Sequence, residues 1–357
     1  MPDSRIIKLA DILVNYSLNV KKGDLIKINS GMEAQDLTLE CTKLILKKGA
    51  YPRVDIQLPG YSYLYYKYAS DEQLKHYPKI SEFETNNIDA VLNIGCENNT
   101  KELSTIDPSK IALRRKTTKK LSDIIIKKDR WCYFQYPTDA LAQDANMSLQ
   151  EFEDFTFNSC LVDWEKESRK QDKLVSILNK GSRVRIKGKD TDISFSIKGR
   201  AAIKCCGKRN MPDGEVYVAP VEKTVNGYIS YSYPAIHGGR EVSGVKLKFK
   251  DGKVISASAD KNEDYLKKMI NADKGASYLG EFGIGLNKNI SRHVSQILFD
   301  EKQYGTIHLA LGMAYPKGGG KNRSAIHWDM IKDLRKDGEI WVDNRLIQKN
   351  GKFTFRL

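Results

Sequence analysis

Residues 183–198 read RVRIKGKDTDISFSIK, and the hydrophobic period of the chain changes to two in this stretch. Apolar side chains alternate with polar ones on both sides of Gly188, which is the pattern of β-strands with one buried face. Residues 246–258 (KLKFKDGKVISAS) give the strongest hairpin signal, because Asp251-Gly252 suits a two-residue turn with positive φ. Residues 184–357 are therefore predicted to form a β-rich domain.

The first half of the chain instead alternates helical and extended patterns. Short apolar runs at residues 25–28, 53–58, 90–94 and 131–136 are separated by segments with helical spacing. Repeated β-α-β connections of this kind indicate a mostly parallel sheet covered by helices. We therefore expect an α+β protein of two domains, in which residues 1–183 form an α/β domain that ends in a helical connector.

Composition limits the cellular setting of the protein. Of the 357 residues 40% are hydrophobic and 29% are charged, as in ordinary soluble proteins. No apolar run approaches the roughly 18 residues of a membrane-spanning helix, and the N-terminal residues MPDSR do not resemble a signal peptide. The six cysteines are scattered without a CxxC pair, which is typical of reduced thiols. We expect a cytoplasmic protein without a membrane partner.

The net charge of +14 raises the question of nucleic-acid binding. Residues 1–185 carry a net charge of +3 and residues 186–357 carry +11. The excess is spread along strand-like segments, without a basic helix or the aromatic motif of an RNA-binding sheet. A basic nucleic-acid-binding protein is thus the less favoured alternative, and no nucleic acid is expected as a partner.

Two histidines and three carboxylates have surroundings that suggest chemistry. His327 and Asp329 form an HxD pair, and positions i and i+2 of an extended chain project to the same face, so both can bind one ion. His308 lies at the start of an apolar segment. Glu215 lies at a junction of turn and strand, and Glu281 lies in a glycine-flanked apolar segment, where a charge is costly unless it is paired or bound to metal. Taken singly, each residue is better explained by an ordinary structural role.

Together, the three carboxylates and two imidazoles are suitable ligands for a pair of divalent ions such as zinc, cobalt, manganese or magnesium. Carboxylates can bridge ions about 3.5–4 Å apart, leaving a shared water that the ions acidify into a nucleophile. Dinuclear sites of this kind hydrolyse peptides and also phosphate esters. From the residues alone, a dinuclear-metal phosphoesterase therefore remains an alternative.

Four segments of the second half, in their order and spacing, resemble the thermophilic aminopeptidase family, the M29 metallopeptidases. These segments are NMPDGEVYVAP (residues 210–220), YLGEFGIGLN (278–287), IHLALGMAYP (307–316) and IHWDM (326–330). KKGDLIKI (21–28) and ASDEQL (69–74) extend the resemblance over essentially the whole chain.

The resemblance implies a metal-dependent aminopeptidase that acts on peptides with a free N-terminus, carries two divalent ions and forms a homodimer. The metal ligands that it implies are Glu215, Glu281, His308, His327 and Asp329, all in the C-terminal β-rich domain. Tyr315, seven residues after His308, is the implied catalytic tyrosine. We expect Glu281 to relay the proton of the attacking water, with Glu215 as the other candidate for this role.

Overall fold

The structure is a computed structural model that describes residues 3–357. Contacts between residues divide the chain into two compact units. Unit 1 contains the described residues up to Val162 together with Gly207–Pro212, and unit 2 contains Asp163–Cys206 and Asp213–Leu357. The sequence predicted the division near residue 183, after the helical connector. The observed division falls before that helix, because its residues Leu174 and Leu178 are buried in the core of unit 2.

The first half of the chain supplies nine α-helices and four β-strands among the described residues. In chain order they are α1 (Ser4–Asp11), continued by a π-helical segment (Ile12–Ser17), β1 (Leu25–Gly31), a 3₁₀ turn (Met32–Ala34), α2 (Gln35–Lys47), β2 (Tyr51–Gln57), α3 (Tyr61–Tyr68), α4 (Asp71–Lys75), α5 (Lys79–Asn87), β3 (Ala90–Gly95), α6 (Pro108–Lys128), β4 (Trp131–Gln135), α7 (Asp139–Asp144), α8 (Leu149–Cys160) and α9 (Trp164–Lys180).

The second half consists mainly of strands. In chain order its elements are β5 (Arg183–Gly188), β6 (Thr191–Ser196), β7 (Ile203–Cys205), β8 (Asn210–Met211), β9 (Glu215–Val218), a 3₁₀ turn (Glu222–Thr224), β10 (Asn226–Ser230), β11 (Ala235–His237), β12 (Arg240–Val242), β13 (Lys246–Lys250), β14 (Lys253–Ser258), α10 (Glu263–Ile270), β15 (Leu279–Gly285), α11 (Ile297–Asp300), β16 (Thr306–Gly312), a 3₁₀ turn (Pro316–Gly318), β17 (His327–Asp333), β18 (Glu339–Val342), β19 (Arg345–Lys349) and β20 (Lys352–Phe353).

Unit 1 is built on a five-stranded sheet with the order β2-β1-β3-β4-β8. All of its strand pairings are parallel. Ile26, Ile28, Leu92 and Phe134 on its strands are fully buried, as expected where helices cover the faces of a parallel sheet. The predicted α/β domain with a mostly parallel sheet is confirmed.

Unit 2 contains two large antiparallel sheets. One has eight strands in the order β14-β13-β10-β6-β5-β18-β19-β20, and the other has five in the order β17-β16-β15-β9-β7. Their facing residues share one hydrophobic core, in which the rings of Phe195 and Phe282 meet edge to face with 5.3 Å between centroids. Asp251 and Gly252 both have positive φ (+48° and +89°) in the turn between β13 and β14. The β-rich second half is therefore confirmed, together with the turn chemistry of its hairpin.

No helix among residues 3–357 has the length and apolar composition required to cross a bilayer.

Candidate active site

The five-stranded sheet of unit 2 brings together the five residues predicted as metal ligands. Glu215 begins β9, Glu281 lies in β15, His308 lies in β16, and His327 and Asp329 lie in β17. The order of these strands is β17-β16-β15-β9, so the residues come from four neighbouring strands. The side chains that point to one face of neighbouring strands lie close together, and the site is therefore a product of strand register.

Glu281 occupies the middle of this group. Its Oε1 lies 3.1 Å from Nε2 of His308, and its Oε2 lies 3.8 Å from Nε2 of His327. On the far side of His308, the same Nε2 is 3.4 Å from Oε2 of Glu215. On the far side of His327, its Nε2 is 3.3 Å from Oδ2 of Asp329. Glu281 thus presents one oxygen to each half of the group.

Both imidazoles are held by their other nitrogen. Nδ1 of His308 lies 3.2 Å from the carbonyl oxygen of Glu301, and Nδ1 of His327 lies 2.8 Å from that of Met313. A backbone carbonyl can only accept, so each Nδ1 donates its proton there, and each Nε2 faces the carboxylates. Histidines that bind metals are commonly oriented in this way.

The strand opposite His308 leaves room for its ring because residue 283 is a glycine. Gly283 pairs with His308 across β15 and β16. A Cβ atom at Gly283 would lie 2.0 Å from Nε2 of His308, which is far inside van der Waals contact. The glycine-flanked sequence around Glu281 is thus explained in part by space for an imidazole.

The structure adds two charged residues that the sequence did not predict. One carboxylate oxygen of Glu301, one of Glu215 and one ring nitrogen of His308 all lie within 4.8 Å of one another. The fully buried Lys302 has its Nζ 3.0 Å from Oε1 of Glu215 and also contacts the carboxylate of Glu301. These residues belong to the charged stretch DEK (residues 300–302), which begins at the last residue of α11 and precedes an apolar strand. A charged stretch in that position could have signalled them.

The donor atoms of the site fit divalent cations. They form two groups, each with its donor atoms within 4.8 Å of one another: Glu215, Glu301 and His308, and Glu281, His327 and Asp329. Three buried carboxylate oxygens, one each from Glu215, Glu281 and Asp329, have no hydrogen-bond partner among residues 3–357. Buried carboxyl oxygens without a donor are costly, and a bound cation removes this cost.

A third group of possible donors is formed by Cys205, Asp213 and Glu215. It shares Glu215 with the first group. Burial, followed by the negative charges of Asp213 and Glu215, raises the pKa of the Cys205 thiol well above its ordinary value. A thiol that stays protonated is a poor metal ligand. The oxygen and imidazole donors are therefore the better candidates.

The charged groups of the site shift one another's pKa values. Burial by itself lowers the pKa of His308, but its hydrogen bond with Glu281 and the negative charge of Glu215 outweigh burial and raise that pKa to about 10. The pKa of His327 is also raised to about 10, because the charge of Asp329 outweighs burial. Burial raises the pKa of Glu215 to about 8, although the positive charge of Lys302 opposes this. A cation that binds here must displace protons from the imidazoles.

Tyr315 follows β16 and lies beside the second donor group. Its ring centroid is 5.0 Å from that of His327 and 5.9 Å from that of Tyr217. Burial of the hydroxyl, followed by the negative charge of Glu281, raises the pKa of Tyr315 above its ordinary value. The phenol therefore keeps its proton at neutral pH. The residue as a whole is 41% exposed, so a substrate can reach part of its side chain.

The model of the family described as thermophilic metalloprotease (M29) matches residues 2–353. The chain belongs to this family. It is therefore a peptide-bond hydrolase, and the family implies a divalent metal cofactor, in agreement with the donor groups. Membership favours peptide hydrolysis over the two alternatives raised from the sequence, a phosphoesterase and a nucleic-acid-binding protein.

Individual relatives agree with the family over the full chain. Aminopeptidase 2 of Geobacillus stearothermophilus is 25% identical, with 99% of both chains covered. Aminopeptidase AmpS of Bacillus subtilis (strain 168) is also 25% identical, with 97% of both chains covered. The solved structure of wild-type AmpT from Thermus thermophilus has a TM-score of 0.87 at 21% identity, and the match covers 98% of this chain and 99% of AmpT. At that identity the structural likeness shows a shared fold.

Proposed function

We propose that this protein is an aminopeptidase that removes the N-terminal residue from peptides with a free α-amine and that requires two divalent ions. The observation that carries the proposal is the position of Glu281 between two donor groups, with one oxygen toward each imidazole. The names of the full-length relatives, which are aminopeptidases, support the substrate class.

Each of the two donor groups would bind one cation. Glu215, His308 and the newly found Glu301 would hold one cation, and His327 and Asp329 would hold the other, with Glu281 between them. Two divalent ions bound there would acidify a shared water into the nucleophile and polarise the scissile carbonyl. Zinc and cobalt are the expected ions, with manganese or magnesium as alternatives, since the donors are oxygen and imidazole nitrogen.

The chain's own carboxylates would move the proton. Glu281 is the proposed general base, because its two oxygens face both halves of the site. It would take the proton of the attacking water and return it to the leaving amine. Glu215 is the other candidate, although its Oε1 is paired with Lys302 at 3.0 Å, which favours Glu281 for this role.

Tyr315 is the proposed oxyanion donor. Its hydroxyl keeps its proton, because burial and the charge of Glu281 raise its pKa. A hydrogen bond from this phenol to the oxygen of the tetrahedral intermediate strengthens as negative charge develops there. Such a contact lowers the barrier more than it tightens substrate binding.

We also infer that the protein acts in the cytoplasm as a homodimer. None of the six cysteines, which all lie within residues 3–357, forms a disulfide, as is typical of proteins in reducing compartments. The dimer is inferred from the family resemblance, and light scattering on the purified protein tests it directly.

The function is tested on three chromogenic substrates: leucine p-nitroanilide, its N-acetylated form and p-nitrophenyl phosphate. We expect hydrolysis of the first alone, because the proposal requires a free α-amine. Activity should disappear after exhaustive treatment with a chelator and return with zinc or cobalt at two ions per chain. Equal cleavage of the acetylated anilide would contradict the aminopeptidase assignment. Activity that survives complete metal removal would exclude the two-ion mechanism.

A further inference from the structure

Lys302 places a positive charge inside the first of the two donor groups, the one formed by Glu215, Glu301 and His308. Its side chain is fully buried, and its Nζ donates to Oε1 of Glu215 at 3.0 Å and contacts the carboxylate of Glu301. Two of the three residues in this group therefore have a cationic partner before any metal binds. A divalent ion in the same group would lie close to the ammonium, and like charges repel strongly in a buried site.

The second donor group, formed by Glu281, His327 and Asp329, contains no such cation. Within residues 3–357, no lysine or arginine forms an ion pair with any of these three residues. Two of its carboxylate oxygens, Oε2 of Glu281 and Oδ1 of Asp329, are buried without a hydrogen-bond partner in the described chain. A metal ion that enters this group therefore meets unsatisfied oxygens and imidazole nitrogen, and no ammonium contacts the same carboxylates.

The position of Lys302 is fixed by backbone hydrogen bonds on both sides of the residue. Its N–H donates to the carbonyl oxygen of Phe299 at 2.9 Å, and its carbonyl oxygen accepts from the N–H of Asn287 at 2.9 Å. No part of its side chain reaches solvent. Close packing around a buried side chain leaves it no free space to occupy, so the ammonium stays beside the two glutamates when a metal ion arrives.

The first group nevertheless keeps donor atoms for an ion. Oε2 of Glu215 has no hydrogen-bond partner among the described residues and lies 3.4 Å from Nε2 of His308. An ion that binds there uses this oxygen and the imidazole, and it shares the charge of both glutamates with the ammonium. The presence of Lys302 therefore lowers the metal affinity of the first group without abolishing it.

We infer that Lys302 makes the two metal positions unequal, so that the second donor group fills first and the first group fills only at a much higher concentration of free metal. This inference rests on the two-ion function proposed above. Lys302 is a positioning residue in that function, because it acts on the metal through Glu215 and Glu301. Since the proposed catalysis needs both ions, activity follows the filling of the weaker position, and free metal regulates the enzyme.

Titration of the metal-free, full-length protein with zinc, in competition with a chelator of known affinity, tests the order of binding. We expect one tightly bound ion and a second ion whose Kd is about 100-fold higher, because the ammonium and the ion repel each other away from water. His308→Ala should remove only the weak ion, and His327→Ala should remove the tight one. The inference is overturned if both ions bind the parent protein with equal affinity, or if His308→Ala removes the tight ion instead. A protein that binds no zinc at all would refute the two-ion function, and this inference with it.

Lys302→Gln tests whether the ammonium is the cause of the difference. This change removes the charge but keeps an N–H donor, so the weak ion should bind at least about tenfold more tightly, while the Kd of the tight ion should change by less than about threefold. Lys332→Met is the matched control, because it removes another buried lysine of unit 2, whose Nζ donates to the carbonyl oxygen of Lys189 at 2.8 Å. Circular dichroism checks that each variant is folded, and the titration of the parent protein decides the order of binding independently of any variant. If Lys302→Gln leaves the weak affinity unchanged, or if Lys332→Met raises it equally, the charge of Lys302 is not the cause and the inference fails.

Hydrolysis of leucine p-nitroanilide at controlled free zinc tests the regulatory consequence. Activity of the parent protein should rise along the binding curve of the weak ion, and Lys302→Gln should shift the half-maximal zinc concentration downward by the same factor as the Kd. Full activity with one ion per chain would refute both the regulation and the two-ion function. Activity that follows two equal binding steps would refute the inference about Lys302 and leave the two-ion function intact.

Discussion

Gly283 lies opposite His308, so an alanine there perturbs one imidazole without removing any predicted metal ligand. The added Cβ would lie 2.0 Å from Nε2 and also 2.0 Å from Cε1 of His308. Ordinary contacts of a Cβ atom begin at about 3.4 Å, so the ring must move by more than 1 Å or the strand must shift. Either movement breaks the 3.1 Å contact with Glu281.

If the site holds two ions as proposed, Gly283→Ala should cause the loss of one of them. Overpacking a buried site costs about 1–3 kcal/mol, which a protein of this size tolerates without unfolding. Displacement of a metal ligand or of its support lowers metal affinity or activity by about 10–100-fold. We therefore expect a folded protein with at least tenfold weaker zinc binding and correspondingly lower activity at limiting zinc.

The matched control is Gly188→Ala, also at a strand glycine in unit 2. A Cβ there would meet Leu334 at 3.5 Å, an ordinary contact, so metal binding and activity should remain unchanged. Metal content is measured by elemental analysis after dialysis against zinc buffers, and folding by circular dichroism. If Gly283→Ala keeps two ions at the affinity of the parent protein, then His308 does not act as a metal ligand from the position described here.

Three further perturbations test other parts of the molecule. Tyr315→Phe should lower kcat for the anilide by about 10²–10³-fold with little change in KM, because it removes one oxyanion donor; an unchanged kcat would remove this residue from the mechanism. Lys302→Met leaves the two glutamates that Lys302 contacts without a buried cation, so the metal-free protein should lose roughly 3–5 kcal/mol of stability. Saturating zinc should restore part of this loss, and thermal unfolding with and without zinc measures both effects. A loss of stability that zinc does not reduce would contradict this account. The hydrogen bond from Arg130 lowers the pKa of Asp24 in the folded protein. At pH values above the unfolded-state pKa of Asp24, near 4, the ionised carboxylate therefore stabilises the fold. This stabilisation is lost as the pH falls through the lowered pKa of the folded state. Asp24→Asn should therefore lower the free energy of unfolding, measured in urea, by about 1–3 kcal/mol at pH 7 and by much less near pH 3. An equal loss at both pH values would rule out the charge of Asp24 as the cause.

Much of the fold follows from local patterns. The period-two alternation after Arg183 and the Asp251-Gly252 turn depend on side-chain direction and on backbone φ, which neighbouring residues determine. The parallel sheet of unit 1 follows from the alternation of apolar runs and helices. The assignment of α9 to unit 2 could not be predicted in this way, because it depends on which core buries Leu174 and Leu178.

The site was predictable only in part, for the same physical reason. His327 and Asp329 are two residues apart, so strand geometry alone places them together. Glu215, Glu281 and His308 meet them only through the pairing of distant strands, and the sequence suggested this through family resemblance. Glu301 and Lys302 enter the site from the segment between α11 and β16. No periodicity describes that segment, so neither residue could be predicted from a local pattern.

The dependence of the site on strand pairing also determines where the chain tolerates changes of length. The backbone ladder between β16 and β17 is continuous from Thr306↔Asp333 to Gly312↔His327. A single inserted residue within either strand would turn the following side chains to the opposite face of the sheet. Residues 313–326 connect these strands outside the ladder. Within that connection Met313, whose carbonyl holds His327, and Tyr315 must also keep their places, so changes of length are expected only in its exposed part beyond them.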